Sequence, residues 1–199
     1  MPASRLLLVL LAVALTITVA AADEAASVAK IEQMGGKVTR DNKSPGRPVT
    51  GVDFRGNGKI RNSDLPLLKE FRNLAALDLT AAQITDQGLK EIGEIRGLTI
   101  LSLRGTRITD AGMKELKNLK ELTSLNLIGT AITDAGLLEL TELKSLTMLH
   151  ISRNPIRPVG MTDAAGSKNL NAALLGKSAI TNRGIKKLKE SLPELVISR

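Results

Sequence analysis

Starting at Leu74 and stepping by 24 residues, the chain meets Leu98, Leu122, Leu146 and Leu170. Three residues further on stand Leu77, Leu101, Leu125, Leu149 and Ala173, and five further on Leu79, Leu103, Leu127, Ile151 and Leu175. Ten residues on, every position is isoleucine: Ile84, Ile108, Ile132, Ile156 and Ile180. Fourteen on, every position is glycine: Gly88, Gly112, Gly136, Gly160 and Gly184. A fixed period kept in so many columns restricts the fold to a stack of like units, each paired only with its neighbours. The core of that stack must be aliphatic. Hydrophobic residues make up 43% of the 199-residue chain and aromatic residues only 1%, namely Phe54 and Phe71.

Each unit carries two periodicities. Leu-x-x-Leu-x-Leu ends in an apolar–polar alternation, which is strand spacing. The second half is apolar in steps of three, as at Leu89, Ile92 and Ile95 or Met113, Leu116 and Leu119, which predicts one face of a helix. Between the halves lie Thr85-Asp86, Thr109-Asp110 and Thr133-Asp134. Both residue types favour helix N-caps, because their side-chain oxygens accept unpaired backbone N–H groups. The unit therefore reads strand, turn, cap, helix, return, and Asp86, Asp110 and Asp134 are expected to act as caps. Parallel strands stack at about 4.8 Å and helices at about 8–10 Å, so strands are expected on a concave face and helices on a convex one. The column Thr106, Thr130, Asn154 and Ser178 is expected to satisfy backbone groups at the turn.

The segment from Leu98 to Asp110, with Leu101, Leu103, Thr106, Ile108 and Thr109 at their places, resembles the leucine-rich-repeat family. It is most similar to the bacterial type with Thr for Asn, related to ribonuclease-inhibitor-like and F-box-receptor-like repeats. The resemblance implies an α/β fold, a right-handed solenoid or horseshoe fragment, over about residues 49–199. It also implies partner binding through the concave face. No F-box-like segment is evident, so a ubiquitin-ligase role is not implied.

Residues 1–22 read as a secretory signal peptide. Arg5 is the positive start, Leu6 to Ala20 is almost wholly apolar, and Ala20-Ala21-Ala22 precedes Asp23. The competing reading is a retained membrane anchor, but the run falls short of the roughly 20 residues a span needs. The expected address is therefore exported, periplasmic or extracellular, with no integral span after cleavage. With no cysteine in the chain, disulfides cannot help, and stability rests on packing. Residues 23–49 are expected to form an N-terminal cap, a helix ended by Gly35-Gly36 and a hairpin strand. Residues 50–193 are expected to hold about six repeats, and residues 194–199 an edge strand. In the first repeat the strand pair Val52 and Phe54 sits one residue early, which predicts a turn one residue longer. The repeat from Leu146 loses its pattern after Ile156, where Arg157-Pro158 replaces Thr-Asp. Repeat decay explains that, with a specialised loop as the alternative.

The sequence offers no catalytic constellation, and no cofactor, metal or small-molecule substrate is expected. His150 is the only histidine, so His/Cys metal clusters are out. A Ser-His-Asp set would lie on an open sheet without enclosure or oxyanion donors. The expected site is the concave strand face, in two columns: Asp78, Ser102, Asn126 and His150, then Thr80, Arg104, Ile128 and Ser152, with Met148 also in its middle. Its expected occupant is a protein partner of a monomeric module. The net charge of +8 becomes +7 once Arg5 leaves with residues 1–22. The excess is C-terminal, since residues 150–199 carry nine basic and three acidic side chains. That end gives the alternative, an anionic-polymer or envelope-surface binder using Arg153, Arg157, Lys177, Arg183, Lys186, Lys187 and Lys189. A structural protein without specific ligand is the third reading. Intact-mass analysis of the exported protein is expected to place its first residue close to Asp23; a secreted product that keeps Met1 would contradict the signal reading.

Overall fold

The computed structural model describes residues 24–157, 170, 172–175, 185, 186, 190 and 196–198. The signal-peptide segment and most of the chain after Arg157 lie outside the described residues. A helix, α1, covers residues 24–33. Eight strands follow: β1 (Lys37–Arg40), β2 (Val49–Asp53), β3 (Ala76–Asp78), β4 (Ile100–Ser102), β5 (Ser124–Asn126), β6 (Met148–His150), β7 (Ala172–Leu174) and β8 (Val196–Ser198). They form one sheet in sequence order. Strand β1 pairs antiparallel with β2, and every later neighbour pair is parallel.

The 24-residue period becomes strand register. Leu77 pairs with Leu101, Leu101 with Leu125, and Leu125 with Leu149. Between β2 and β3 the offset is 25, Val52 to Leu77, while Ile60 and Ile84 remain 24 apart. The turn after β2 is therefore one residue longer than its successors, as the early strand pair predicts. A second, shorter parallel ladder runs along the isoleucine column: the amides of Gln83, Arg107 and Ala131 donate to the carbonyls of Ile60, Ile84 and Ile108 at 2.9 Å each. Two backbone ladders thus fix each unit against the next, and the leucine and isoleucine columns between them are buried from Leu74 to Ile156. At the N-terminal end, Ile31 of α1 and the ring of Phe54 meet beside Gly36, where an added Cβ would lie 2.7 Å from Ile31 Cγ2. Ile31 and Phe54 are buried there.

The helical halves are short, and three of the four are wholly or partly 3-10 helix. The first is a 3-10 helix throughout, Asn62–Glu70, with Pro66 inside it. In the next, α2 spans Asp86–Ile92. The two after that begin as α-helix, α3 (Asp110–Met113) and α4 (Asp134–Glu139), and pass into 3-10 helix over Lys114–Asn118 and Leu140–Glu142. The apolar step of three is compatible with this, because a 3-10 helix has three residues per turn and lines up i and i+3.

The Thr-Asp pairs divide their work differently from the capping expectation. The threonines are the caps: Thr109 and Thr133 accept from the amides of Ala111 and Ala135 at 3.3 Å. The aspartates are the first helical residues, and their carboxylates reach forward to the next repeat. Asp86 accepts from Thr109 N at 2.8 Å and Thr109 Oγ1 at 2.6 Å. Asp110 accepts from Thr133 N and Oγ1 at the same distances. Asp134 accepts from Arg157 N at 2.8 Å and Arg157 Nε at 2.6 Å, so the clamp continues where the threonine is lost. In the first repeat Asn62 makes the same connection, with Oδ1 accepting from Thr85 N and Nδ2 donating to Thr85 Oγ1. The glycine column leaves room for this side chain. A Cβ on Gly88 would sit 2.6 Å from Asn62 Oδ1, and one on Gly112 2.5 Å from Asp86 Oδ1. At the turn, Thr106 Oγ1 donates to Leu103 O and Thr130 Oγ1 to Leu127 O. Buried Asn154 donates through Nδ2 to Leu127 O and Ile151 O, so these three satisfy backbone carbonyls as expected from their chemistry, and Ser178 lies outside the described residues.

Asp110→Ala is expected to cost about 1.5–3 kcal/mol in urea melts, since it removes two hydrogen bonds to a charged acceptor. Asp110→Asn should cost much less, because Asn62 shows that an amide makes both bonds. Equal losses for the two variants would contradict the clamp.

Candidate functional site

The concave face is built from outward-pointing residues of short parallel strands, and it has three rows. The first is Ala76, Ile100, Ser124, Met148 and Ala172, aligned by strand pairing. The second is Asp78, Ser102, Asn126 and His150, all half-buried. The third lies just beyond the strand ends: half-buried Thr80, exposed Arg104, half-buried Ile128 and buried Ser152. Seven of the eight expected site residues therefore reach solvent on one surface. Ser152 is the exception, 7% exposed, so it belongs to the turn and offers little to a partner.

Several polar groups of this face serve the chain itself. Asp53, Asp78 and Asn126 each fold an oxygen back onto the amide two residues ahead, at Arg55, Thr80 and Ile128. That is the turn an Asx side chain makes with its own backbone. Thr80 Oγ1 and Ser102 Oγ are 2.9 Å apart. Arg55 bridges Asp53 at 2.7 Å and Asp78 at 3.4 Å. Hydrogen bonds from that guanidinium hold the Asp53 carboxyl below its ordinary value, with partial burial opposing them. A shallow depression of about 250 Å³ lies over this corner, lined by Asp53, Arg55, Asp78, Ile100 and Ser102. A larger open depression lies elsewhere, between α1 and the first 3-10 helix, lined by Lys30, Pro66, Leu67 and Glu70. Its lining is mixed, with Lys30 and Glu70 its charged residues.

Of the first row the sequence reading singled out only Met148, and the row carries the apolar surface. Ile100 is 51% and Met148 41% exposed. Alternation counted backwards from Leu101 and Leu149 would have placed them outward. Among the C-terminal basic residues, Arg153 and Lys186 are exposed. Arg157 is engaged by Asp134. Lys177, Arg183, Lys187 and Lys189 lie outside the described residues. Among the described residues no group of three or more His, Asp or Glu could hold a metal ion, and no helix is long and apolar enough to cross a membrane.

Residues 96–156 and 72–93 match two sequence profiles described as leucine rich repeat, and they cover the units whose register has just been given. The chain is a leucine-rich-repeat protein. Its solenoid is similar in fold to an internalin (inlF) from Listeria monocytogenes, with TM-score 0.54 and 24% identity over 66% of this chain and 36% of that one. It is likewise similar to an internalin C2 from Listeria monocytogenes, with TM-score 0.52 and 19% identity over 78% of this chain and 87% of that one. This leucine-rich-repeat protein spans only about a third of the length of the first. No curated protein sequence matches it.

The Arg55 bridge gives a pH prediction for this leucine-rich-repeat protein. A carboxyl held low in the folded state contributes stability above its unfolded pKa, near 3.9, and loses it as pH falls through the lower folded value. Acid unfolding below about pH 4 is expected to include this contribution. Arg55→Met should flatten that part of the stability profile, measured by urea melts from pH 2.5 to pH 6; an unchanged profile would remove Asp53 from the acid response.

Proposed function

We propose that the chain is an exported, non-catalytic module that captures a protein partner on its concave strand face and works as a monomer. The observation that carries this reading is the exposure of Ile100 and Met148 on a sheet face whose other side is fully packed. Large apolar side chains standing among polar ones on an open surface suit a protein interface. The partner-binding set is Asp78, Thr80, Ser102, Arg104, Asn126, Ile128 and His150, with Ile100 and Met148 added. The carboxylates of this face are engaged with turn amides and with Arg55, which speaks for recognition and against acid–base work. Similarity in fold to internalins and the repeat pattern, of the Thr-for-Asn, ribonuclease-inhibitor-like kind, support an interaction role. The apolar segment Leu6 to Ala20 supports export. Residues 23–49 serve in this reading as the N-terminal cap, residues 50–193 as the repeats and residues 194–199 as the closing edge.

Capture of a partner from the extracellular or envelope fraction tests the proposal. Arg104→Glu with Met148→Asp is expected to weaken capture about tenfold or more, as for loss of a central contact, with the melting temperature nearly unchanged. The exposed convex change Lys117→Glu should alter neither. If instead Lys186→Glu with Lys187→Glu abolishes capture and high salt mimics that change, the basic end is the working surface and the concave reading is wrong.

A further inference from the structure

One row of the concave face alternates in side-chain size. Strand pairing aligns Ala76, Ile100, Ser124, Met148, Ala172 and Val196, one residue from each of β3 to β8. The large members stand on β4, β6 and β8, and the small ones on β3, β5 and β7. Four large hydrophobic side chains are exposed among the described residues, and three of them are Ile100, Met148 and Val196, at 51%, 41% and 65%. The fourth, Leu138, belongs to α4 in the helical half. The exposed apolar surface of the sheet is therefore a line of ridges with a gap at each small residue. At the first gap the depression of about 250 Å³ is lined by Gly51, Ala76 and Ile100, room enough for an aliphatic side chain.

Ridges and gaps each recur at every second strand, and two strand separations are about 9.5 Å. A β-strand laid along the row brings side chains to one side every two residues, about 6.7 Å, and is out of step at the second gap. An α-helix returns to the same face after seven residues, about 10.5 Å, and is about 2 Å out by the third gap. A polyproline II helix has three residues per turn and rises about 3.1 Å per residue, so every third side chain points the same way at about 9.3 Å. It stays within about 0.5 Å of the gaps over all three. The side chains point into a concavity, so their tips converge, which moves the spacing further from that of the α-helix. A polyproline II backbone also makes no internal hydrogen bonds, so its carbonyls need donors. The adjacent row supplies one. Asn126 Oδ1 accepts from the Ile128 amide at 3.1 Å, and among the described residues its Nδ2 has no acceptor.

We propose that this row binds a protein segment in polyproline II conformation with an aliphatic side chain at every third residue, seated at Ala76, Ser124 and Ala172 between the ridges of Ile100, Met148 and Val196. This rests on the concave-face reading and adds the conformation and period of the partner segment.

Fluorescence anisotropy with the full chain and four labelled peptides of about fifteen residues tests it. The first carries Leu at every third residue with Pro between, and the second Ser at every third residue with Pro between. The third alternates Leu and Ser, and the fourth is a helix of Ala, Glu and Lys with Leu at every seventh residue. The Leu/Pro peptide is expected to bind about tenfold or more tightly than the other three. Ser124→Leu fills the middle gap and should weaken that binding about tenfold, although it adds apolar surface that would strengthen unspecific adhesion. Ile100→Asp with Met148→Asp should weaken it as much, and both variants should melt close to the parent. Failure of the Leu/Pro peptide to bind, equal binding of the Ser/Pro peptide, or unchanged or tighter binding to Ser124→Leu overturns the proposal. If the alternating or the helical peptide binds more tightly and loses affinity with Ile100→Asp and Met148→Asp, the concave face binds a protein segment but the polyproline II assignment is wrong. If the Leu/Pro peptide ignores every change in the row and is lost on Lys186→Glu with Lys187→Glu, both this proposal and the concave-face reading fall.

Discussion

The side-chain oxygens that Asn62, Asp86, Asp110 and Asp134 extend to the following repeat set the relation between neighbouring units. Each accepts from a backbone N–H 23 residues on and also binds that residue's side chain, the hydroxyl of Thr85, Thr109 or Thr133 or the Nε of Arg157. A strand ladder alone fixes distance along one edge of the unit and leaves the helical edge free to pivot. The clamp fixes the second edge, and the short isoleucine ladder fixes the point between them. Three attachment lines leave little freedom for slippage, and the strands stay in register although each is only three residues long from β3 onward. The glycine column follows from the same contact: the side-chain oxygen of Asn62, Asp86 or Asp110 occupies the space a Cβ would need beside Gly88, Gly112 or Gly136.

Fold class and register were legible because they depend on columns that must repeat. A leucine that packs between two neighbours meets the same environment in every unit, so its type is kept, and period and alternation can be read directly. The target of Asp86, Asp110 and Asp134 was not legible. Aspartate at a helix start serves equally well as a cap or as an acceptor for a neighbouring chain, and only three-dimensional placement separates the two. The 3-10 character was hidden for a related reason, since apolar residues three apart lie on one face of either helix type. Arg157 looked like a break in the pattern, yet its backbone amide and Nε supply the two donors that a threonine supplies one and two repeats earlier.

The candidate site was legible only in part. The rows with Asp78, Ser102, Asn126 and His150, and with Thr80, Arg104 and Ile128, followed from alternation outward from the buried leucines. Of the row Ala76, Ile100, Ser124, Met148 and Ala172, Met148 was legible and Ile100 was not singled out, although the same alternation places both outward. Variation within a column on an otherwise regular scaffold is expected where a surface meets something other than the next repeat. Ser152 shows the opposite failure: alternation places it outward, but the turn before buried Asn154 covers it.

A double-mutant cycle between Asp110 and Thr133 tests most directly whether the forward clamp couples repeats. Stability of the parent, Asp110→Ala, Thr133→Ala and the double variant yields their interaction energy. Coupling of about 0.5–3 kcal/mol, typical of residues in direct contact, is expected for this pair, against coupling near zero for Asp110 with its sequence neighbour Thr109. Coupling near zero between Asp110 and Thr133, or larger coupling with Thr109, would contradict the clamp and return Asp110 to the role of a cap within its own repeat.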